Sequence, residues 1–342
     1  METEKNMFEK QNGIVRVPAN EHLRVLQLTD MQIIDASQRR RPDRLSEREI
    51  EKWDPSRVEE NCYSHIRSVV TQTDPHLILL TGDLTYGEFD DSGCVLRDFI
   101  GFMDSLGIPW APVWGNHDQE SAVGNIAMCA AYETAQNCLF RTETTDPADG
   151  TGNYAVKIYQ GDRLTEMVYL LDSHGCSHAA EEPIRIPKSI TENQCRMIEQ
   201  KAKDAAREAG HTVPGIAAFH IPTADFFEAY AAFGYPNEVG TVIGVTVPAH
   251  PGDFGVILEK ASRPAERPER FAERLRESGV NGVFVGHHHN INASVFHNGI
   301  RWTMGLKTGT YDYHINGALG GTLIEFENGV PAVHHVPTLI GY

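Results

Sequence analysis

The sequence lacks the features that define several common classes of protein. Six cysteines are present but no Cys-x-x-Cys pair, so we expect free thiols and a reducing compartment. No apolar run approaches the roughly 18 residues of a membrane-spanning helix, and residues 1–13 lack the apolar segment of a secretion signal. We therefore expect a soluble, cytoplasmic protein that does not bind membranes.

Basic residues are also scarce. Lysine and arginine number 30 against 47 aspartates and glutamates, which gives a net charge of −17. Such a chain repels a phosphate backbone, so a nucleic-acid partner is not expected. A small phosphate ester held by metal ions is compatible with this charge, because bound cations dominate the local field. The motifs G-x-S-x-G and H-E-x-x-H and the P-loop are absent, which disfavours serine hydrolases, zincins and P-loop enzymes.

Nothing along the 342 residues marks a boundary between domains, because no internal repeat, low-complexity tract or linker is present. We therefore treat residues 1–342 as a single domain. Within this domain we expect an N-terminal arm (1–21) and two loop insertions (37–55 and 234–267).

The order of the predicted elements indicates the fold class. The first half of the chain alternates strands and helices as in βαβ units, and the second half is rich in antiparallel strands. Two Asn-Gly pairs, Asn298-Gly299 and Asn328-Gly329, indicate hairpins in that second half. One core that buries both halves favours an α/β fold in which two mixed β-sheets pack face to face with helices outside. This is a four-layer α/β/β/α sandwich.

Residues 76–86, HLILLTGDLTY, contain the best-defined candidate for a functional position. Four consecutive apolar residues, 77–80, predict a strand buried on both faces. The strand ends at Thr81-Gly82, and the next residue is the carboxylate Asp83. Ligands of open α/β sheets bind beyond the carboxyl ends of strands. Taken alone, Asp83 is equally well explained as the cap of a following helix.

Other predicted strands end in the same way, in side chains that can bind metal. These strand-end residues are Asp30, Asp83, Asn116, His220, and the pair His287 and His289. A single histidine after a strand is more often structural, but five such endings at one edge of a sheet indicate a common site. Mixed Asp, Asn and His ligands suit Zn, Mn or Fe rather than Ca. The donors exceed what one tetrahedral ion needs, so two ions sharing a carboxylate are expected, an arrangement suited to displacement at phosphorus.

The motifs that carry these residues resemble those of the calcineurin-like metallophosphoesterases. In chain order they are Asp30-x-Gln32, Gly82-Asp83, Gly115-Asn116-His117-Asp118, His220 and Gly286-His287-x-His289. The resemblance covers most of the chain, from residue 30 to residue 289.

The resemblance implies a role for each of these residues. Asp83 would bridge the two metals, Asp30 and His289 would bind one of them, and the other would be bound by Asn116, His220 and His287. His117 would face the substrate phosphate as a general acid or charge stabiliser. Asp118 would fix the ring of His117.

The first motif departs from the family pattern. It is usually Asp-x-His, and here a neutral amide, Gln32, replaces the imidazole. The second motif continues to Tyr86 and resembles the Gly-Asp-x-x-Tyr of purple acid phosphatases, in which the tyrosine binds a ferric ion and the first motif also lacks histidine. Tyr86 is therefore expected to be a metal ligand. The alternatives are that Tyr86 packs over the site with its hydroxyl bonded to a carboxylate, and that Gln32 completes the first metal site.

These motifs predict a dinuclear metal-dependent phosphoester hydrolase in which a metal-bound hydroxide attacks phosphorus. The expected cofactors are two metal ions, Fe plus Fe, Zn or Mn, and the expected partner is a small phosphorylated substrate. The second motif favours phosphomonoesters. A phosphodiesterase of the same fold and a metal-binding regulatory protein with impaired catalysis are the alternatives.

Weaker candidates for the cleft come from four further places in the sequence. They are the arginine-rich loop 39–48, His174, His288, and residues 311–314 after the Gly-rich GLKTGT. For the arginines, a solvated loop paired with neighbouring glutamates is the expected alternative to a phosphate contact.

Overall fold

The computed structural model describes residues 8–40, 54–143, 146–175, 190–232, 252–259, 266–327 and 329–340, together with residues 47, 50, 244 and 245. The expected insertions at 37–55 and 234–267 lie largely outside these residues. Within the described part, no helix is long and apolar enough to cross a membrane.

The described chain contains fifteen strands and six α-helices. The strands are β1 (Phe8–Glu9), β2 (Ile14–Val17), β3 (Arg24–Leu28), β4 (Leu77–Thr81), β5 (Trp110–Val113), β6 (Tyr154–Gln160), β7 (Arg163–Leu170), β8 (Gly215–Ala218), β9 (Gly244–Val245), β10 (Val256–Ile257), β11 (Val280–Val285), β12 (Ser294–His297), β13 (Ile300–Met304), β14 (Gly320–Glu327) and β15 (Val330–Pro337). The helices are α1 (Val58–Thr73), α2 (Cys94–Ser105), α3 (Asn125–Thr134), α4 (Glu192–Ala209), α5 (Ala224–Ala232) and α6 (Phe271–Glu277).

Two mixed sheets form the centre of the molecule. The smaller has the strand order β15-β14-β3-β4-β5, and the larger has the order β1-β2-β6-β7-β8-β11-β13-β12. Strands β3, β4 and β5 are parallel neighbours, and so are β7, β8 and β11. Parallel neighbours end at the same edge of a sheet, so the turns after these strands lie together. That edge carries the candidate site.

The layers follow the predicted four-layer sandwich. One hydrophobic core combines buried side chains of both sheets, for example Ile78 and Ile324 of the smaller sheet with Val168 and Ile216 of the larger. Helix α1 packs on β3, β14 and β15, while α4, α5 and α6 pack on strands of the larger sheet. The second core lies under α4, α5 and α6. The α/β fold class with two mixed sheets is therefore confirmed.

Two parts of the structure had no counterpart in the predicted elements. Residues 8–17 contribute β1 and β2, and β2 runs parallel to β6 at the edge of the larger sheet. Helix α5 follows the end of β8 and packs on β12 and β13. Its nine residues are shorter than the windows in which helical periodicity is clear, so its amphipathic pattern does not stand out in the sequence.

Candidate metal centre

Functional residues in the turns after the parallel strands have an unusual backbone conformation. Asp30, Asp83 and His287 have φ values of 53°, 51° and 77°. These values lie in the left-handed region, which non-glycine residues adopt rarely and mostly at functional sites. In this conformation the chain reverses sharply and presents each side chain at the sheet edge.

Glycines next to these residues allow the strand ends to approach each other. A Cβ atom on Gly286 would lie 2.1 Å from Thr29 Oγ1 and 2.5 Å from Asp30 Oδ2. A Cβ atom on Gly115 would lie 2.1 Å from the backbone nitrogen of Asp83. Both positions therefore need glycine for close approach, which gives a physical reason for the Gly-Asn and Gly-His pairs.

Five of the predicted ligands form two clusters of potential metal ligands. The ligand atoms of Asp83, His220 and His287 lie within 4.8 Å of one another, and so do those of Asp30, Asp83 and His289. Asp83 belongs to both clusters. We call the cluster of Asp30, Asp83 and His289 the first site and the other the second site.

Hydrogen bonds orient two of the imidazoles. His220 Nδ1 lies 2.8 Å from the carbonyl oxygen of Thr81, and His289 Nδ1 lies 3.0 Å from that of Tyr313. Each Nδ1 therefore carries a proton and each Nε2 is left as the donor atom for a metal, a usual arrangement of ligand histidines. His220 Nε2 lies 3.2 Å from Asp83 Oδ2, and His289 Nε2 lies 3.2 Å from Asp30 Oδ1.

Electrostatics at the centre favour bound positive charge. Burial alone would lower the pKa of His220, but Asp83 outweighs it and raises the pKa to about 9. Burial would raise the pKa of Asp83, but His220 and His117 hold it well below its usual range. The carboxylate is thus ionised, and the space beside His220 attracts a cation. Burial lowers the pKa of His287, which leaves its ring neutral, the form that binds metal.

The buried Oδ1 atom of Asn116 is among the side-chain atoms that lack a hydrogen-bond partner within the described residues. An unsatisfied buried acceptor costs about 1–3 kcal/mol, and a metal ion would satisfy it. Asn116 also precedes His117, whose backbone N–H donates to Asp83 Oδ1 at 2.8 Å. The donor set therefore fits divalent or trivalent ions with mixed O and N ligands.

The ring of His117 is held by Glu120. His117 Nδ1 lies 2.8 Å from Glu120 Oε2, and the side chains are 12% and 6% exposed. The expectation that Asp118 fixes this ring is wrong. In the sequence, Glu120 is marked only by its position three residues after His117. In the structure, residues 118–120 form a 3₁₀ turn.

The carboxylate of Asp118 is used by the backbone instead. Its Oδ1 accepts from the N–H groups of Leu84 and Thr85, at 2.8 and 2.9 Å, and its Oδ2 accepts from Gly115 N–H at 2.8 Å. Asp118 therefore ties the turn after β4 to the turn after β5. It supports the positions of Asp83 and Asn116 without contacting the His117 ring through any of these bonds.

Tyr86 is buried beside His117. The two rings stack with centroids 4.3 Å apart, and Tyr86 also contacts the rings of Phe89 and Tyr311. This contact places Tyr86 next to the residue expected to face substrate. Its role as a metal ligand stays a prediction.

Gln32 contacts a buried lysine that the sequence did not single out. Lys307 is 3% exposed, and its Nζ donates to Gln32 Oε1 at 2.7 Å and to the carbonyl oxygen of Asp30 at 2.8 Å. Gln32 Nε2 is buried without a partner among the described residues. The residue that replaces the imidazole of the Asp-x-His pattern is therefore hydrogen-bonded to a buried lysine. The only sequence signal for this lysine was its location in GLKTGT.

Of the weaker candidates, His288 contacts the second site through the ring of His287, with centroids 5.1 Å apart, whereas the described part of the arginine-rich loop pairs elsewhere. Arg40 forms an exposed ion pair with Asp91 at 2.8 Å, as expected for a solvated loop. Arg41, Arg44 and Arg48 lie outside the described residues. His288 is engaged by Glu259 through Nδ1, and its ring meets Phe227 edge-on.

The segment 311–314 does reach the centre. The Tyr313 ring lies against His289 with centroids 4.5 Å apart, and Asp312 Oδ2 is 4.0 Å from His289 Nδ1. The wall predicted from 311–314 therefore lies beside the first site.

His174 is buried after β7, and its Nε2 lies 3.2 Å from the carbonyl oxygen of Ala148.

Comparisons with known proteins agree with this geometry. The chain is similar to "Probable inactive purple acid phosphatase 14" of Arabidopsis thaliana, with 25% identity over 248 residues that cover 67% of this chain and 57% of that protein. It is also similar to "Phosphatase DCR2" of Saccharomyces cerevisiae, with 26% identity over 227 residues that cover 63% of this chain and 39% of that protein. The chain thus spans about half the length of these curated relatives.

A solved structure shares the fold. The crystal structure of a dimetal phosphatase from Danio rerio aligns over 89% of this chain and 92% of that one, with a TM-score of 0.50 and 12% identity. The sequence model of the family described as Calcineurin-like phosphoesterase matches residues 23–291, which include every strand-end residue of the candidate centre. The chain therefore belongs to the calcineurin-like phosphoesterase family.

Proposed function

We propose that this protein is a dinuclear metal-dependent phosphoester hydrolase that favours phosphomonoesters. The main support for the proposal is that Asp83 belongs to both sites. Its carboxylate lies within 4.8 Å of the ligand atoms of each site. A carboxylate shared in this way suits two ions about 3.5–4 Å apart. Membership of the family supports the reaction class.

The predicted ligands would form two metal sites that share Asp83. The first site would be formed by Asp30, Asp83 and His289, with Tyr86 as the additional ligand suggested by the second motif. The second site would be formed by Asp83, Asn116, His220 and His287. Two ions held there would supply Lewis-acid activation of the phosphoryl group and of its attacking water.

His117 is the proposed proton donor. Its Nδ1 is hydrogen-bonded to Glu120, and its Nε2 would donate to an oxygen of the phosphoryl group or to the leaving group. The Glu120 carboxylate, 2.8 Å from Nδ1, would hold the ring in place for this proton transfer. The proposed substrate is a small phosphorylated molecule, and the ions are Fe together with Fe, Zn or Mn. The metals and a cytoplasmic location stay predictions.

A second candidate function is a metal-binding protein without turnover. The printed name of the Arabidopsis relative, "Probable inactive purple acid phosphatase 14", favours it. So does the contact of Lys307 with Gln32, because Gln32 replaces the second metal ligand of the Asp-x-His pattern. The retention of His117 beside Asp83 favours the hydrolase.

The variant His117→Ala tests the proposal. It removes the ring but keeps the backbone N–H that donates to Asp83. We therefore expect kcat to fall by roughly 10²–10⁴-fold while the metal content stays unchanged. The measurement is hydrolysis of an aryl phosphomonoester and an aryl phosphodiester, with metal analysis of the same samples.

Asp83→Asn is the matched control, because it weakens both sites and should lower the metal content itself. Loss of metal from His117→Ala would contradict the role given to His117. Full metal loading of the unaltered protein with no hydrolysis of either ester would favour the second candidate function.

A further inference from the structure

We propose that Lys307 makes the first site the weaker of the two metal sites, so that the second site fills first. The inference rests on the dinuclear centre proposed above. It assigns to Lys307 a positioning and charge-setting role, since the lysine contacts the backbone and the amide next to the ligands.

The backbone fixes Lys307 beside the end of β3. The N–H of Thr308 donates to the carbonyl oxygen of Thr29 at 2.9 Å, and the N–H of Gly309 donates to that of Asp30 at 3.3 Å. A Cβ atom on Gly309 would lie 2.0 Å from the carbonyl oxygen of Met31, so the two segments run in close contact. With a side chain only 3% exposed, the ammonium cannot swing out to solvent.

The ammonium also determines how Gln32 is oriented. A lysine ammonium has only donors, so the amide must turn its oxygen toward Lys307. The other end of the amide is the Nε2 group, which is a donor and binds no metal. Gln32 is therefore committed to the lysine, and the first site keeps the donors Asp30, Asp83 and His289.

Charge adds to this difference between the sites. The ammonium of Lys307 attracts the carboxylates of Asp30 and Asp83 and repels a metal ion at the first site. The Nζ atom of Lys307 donates to the carbonyl oxygen of Asp30 at 2.8 Å, so this charge lies next to a ligand of the first site. The second site has Asn116, His220 and His287 as neutral donors beside Asp83. With a divalent ion, for which Tyr86 stays a neutral phenol outside the ligand set, the second site therefore has one donor more than the first. The ammonium thus offsets the extra carboxylate of the first site, and the smaller number of donors then makes the first site the weaker one.

The test is calorimetric titration of Mn²⁺ into the full chain after chelator treatment. For the unaltered protein we expect one tight and one weak binding step. His289→Ala, which removes a donor of the first site alone, should abolish the weak step and keep the tight one. Lys307→Gln keeps a hydrogen-bond donor but removes the charge, and should tighten the weak step at least about tenfold while changing the tight step much less.

Two further variants separate charge from ligand release. Lys307→Arg retains the charge and should keep the weak step weak. The double variant Gln32→Leu with Lys307→Met removes the charge and the amide together. If the weak step tightens in Lys307→Gln but not in the double variant, the released amide has become a ligand and the charge argument is wrong.

Other outcomes would also overturn the inference. An unchanged weak step in Lys307→Gln, with thermal unfolding as in the unaltered protein, would show that Lys307 does not set the order of filling. Loss of the tight step in His289→Ala would show that the order is reversed. The absence of any Mn²⁺ binding would overturn the proposed centre itself, and the inference with it.

Discussion

Glu120→Gln is the sharpest test of how the centre positions its proposed proton donor. The substituted amide can still accept from His117 Nδ1 through its oxygen, so the ring should keep its place. What disappears is the negative charge 2.8 Å from the imidazole, in a pair whose side chains are only 12% and 6% exposed. The variant therefore separates charge from geometry.

The expected loss follows from the type of bond. A net hydrogen bond to a charged group contributes about 1.5–3 kcal/mol, against about 0.5–1.5 for a neutral one. The difference of about 1–2 kcal/mol corresponds to a roughly 5–30-fold lower kcat. KM should change little, because Glu120 contacts His117 and not the substrate phosphate in this proposal. The assay is steady-state hydrolysis of an aryl phosphomonoester with metal content and melting temperature measured in parallel.

Asp118→Asn provides the contrast within the same motif. Its amide would have to place an NH₂ group against one of the backbone N–H donors that now bond the carboxylate, Gly115 on one side or Leu84 and Thr85 on the other. We expect a lower melting temperature and a lower metal content for this variant, and neither change for Glu120→Gln. An unchanged kcat in Glu120→Gln would refute the role given to the charge of Glu120.

Two further predictions concern the geometry of the first site. Gly286→Ala forces a Cβ atom to within 2.1 Å of Thr29 Oγ1 and 2.5 Å of Asp30 Oδ2, so we expect a loss of about 1–3 kcal/mol in stability and reduced metal content. Gly101→Ala, in α2 with no atom within 4 Å of the new Cβ, is the matched control and should stabilise by up to about 1 kcal/mol; equal effects of the two would contradict the close-approach argument. Tyr86→Phe should abolish a visible tyrosinate-to-iron absorption band in iron(III)-loaded protein, and a fully loaded, colourless parent protein would exclude Tyr86 as a ligand.

The strand ends could be predicted because their signal is local. A buried parallel strand is a short apolar run, as in Leu77–Thr81, and its end is marked by a glycine and a polar side chain. Parallel pairing then brings such ends to one edge whatever lies between them in the sequence. The clustering of Asp83 with residues more than 130 positions away, His220 and His287, follows from that topology.

The contacts around the ligands could not be predicted in the same way. Glu120 and Asp118 lie two residues apart and both carry carboxylates, and only the 3₁₀ turn decides which one meets the His117 ring. Lys307 is 275 residues from Gln32, and its pairing depends on the contact of the segment after β13 with the end of β3. Such choices are made by side-chain direction and long-range packing, for which a single sequence carries no periodic signal.

Two residues bear on the replacement of an imidazole by Gln32: Tyr86, the proposed compensating ligand, and Lys307, which is bonded to Gln32. A tyrosinate at Tyr86 would add a negative ligand to the first site, whereas Lys307 adds a fixed positive charge beside Asp30. An ammonium repels a divalent ion but favours an anionic ligand. The two roles therefore support each other if the first site holds a trivalent ion, because the phenolate compensates the charge that the lysine opposes. With a divalent ion and a neutral tyrosine, only the repulsion is left, and the first site should be the one that is weakly filled.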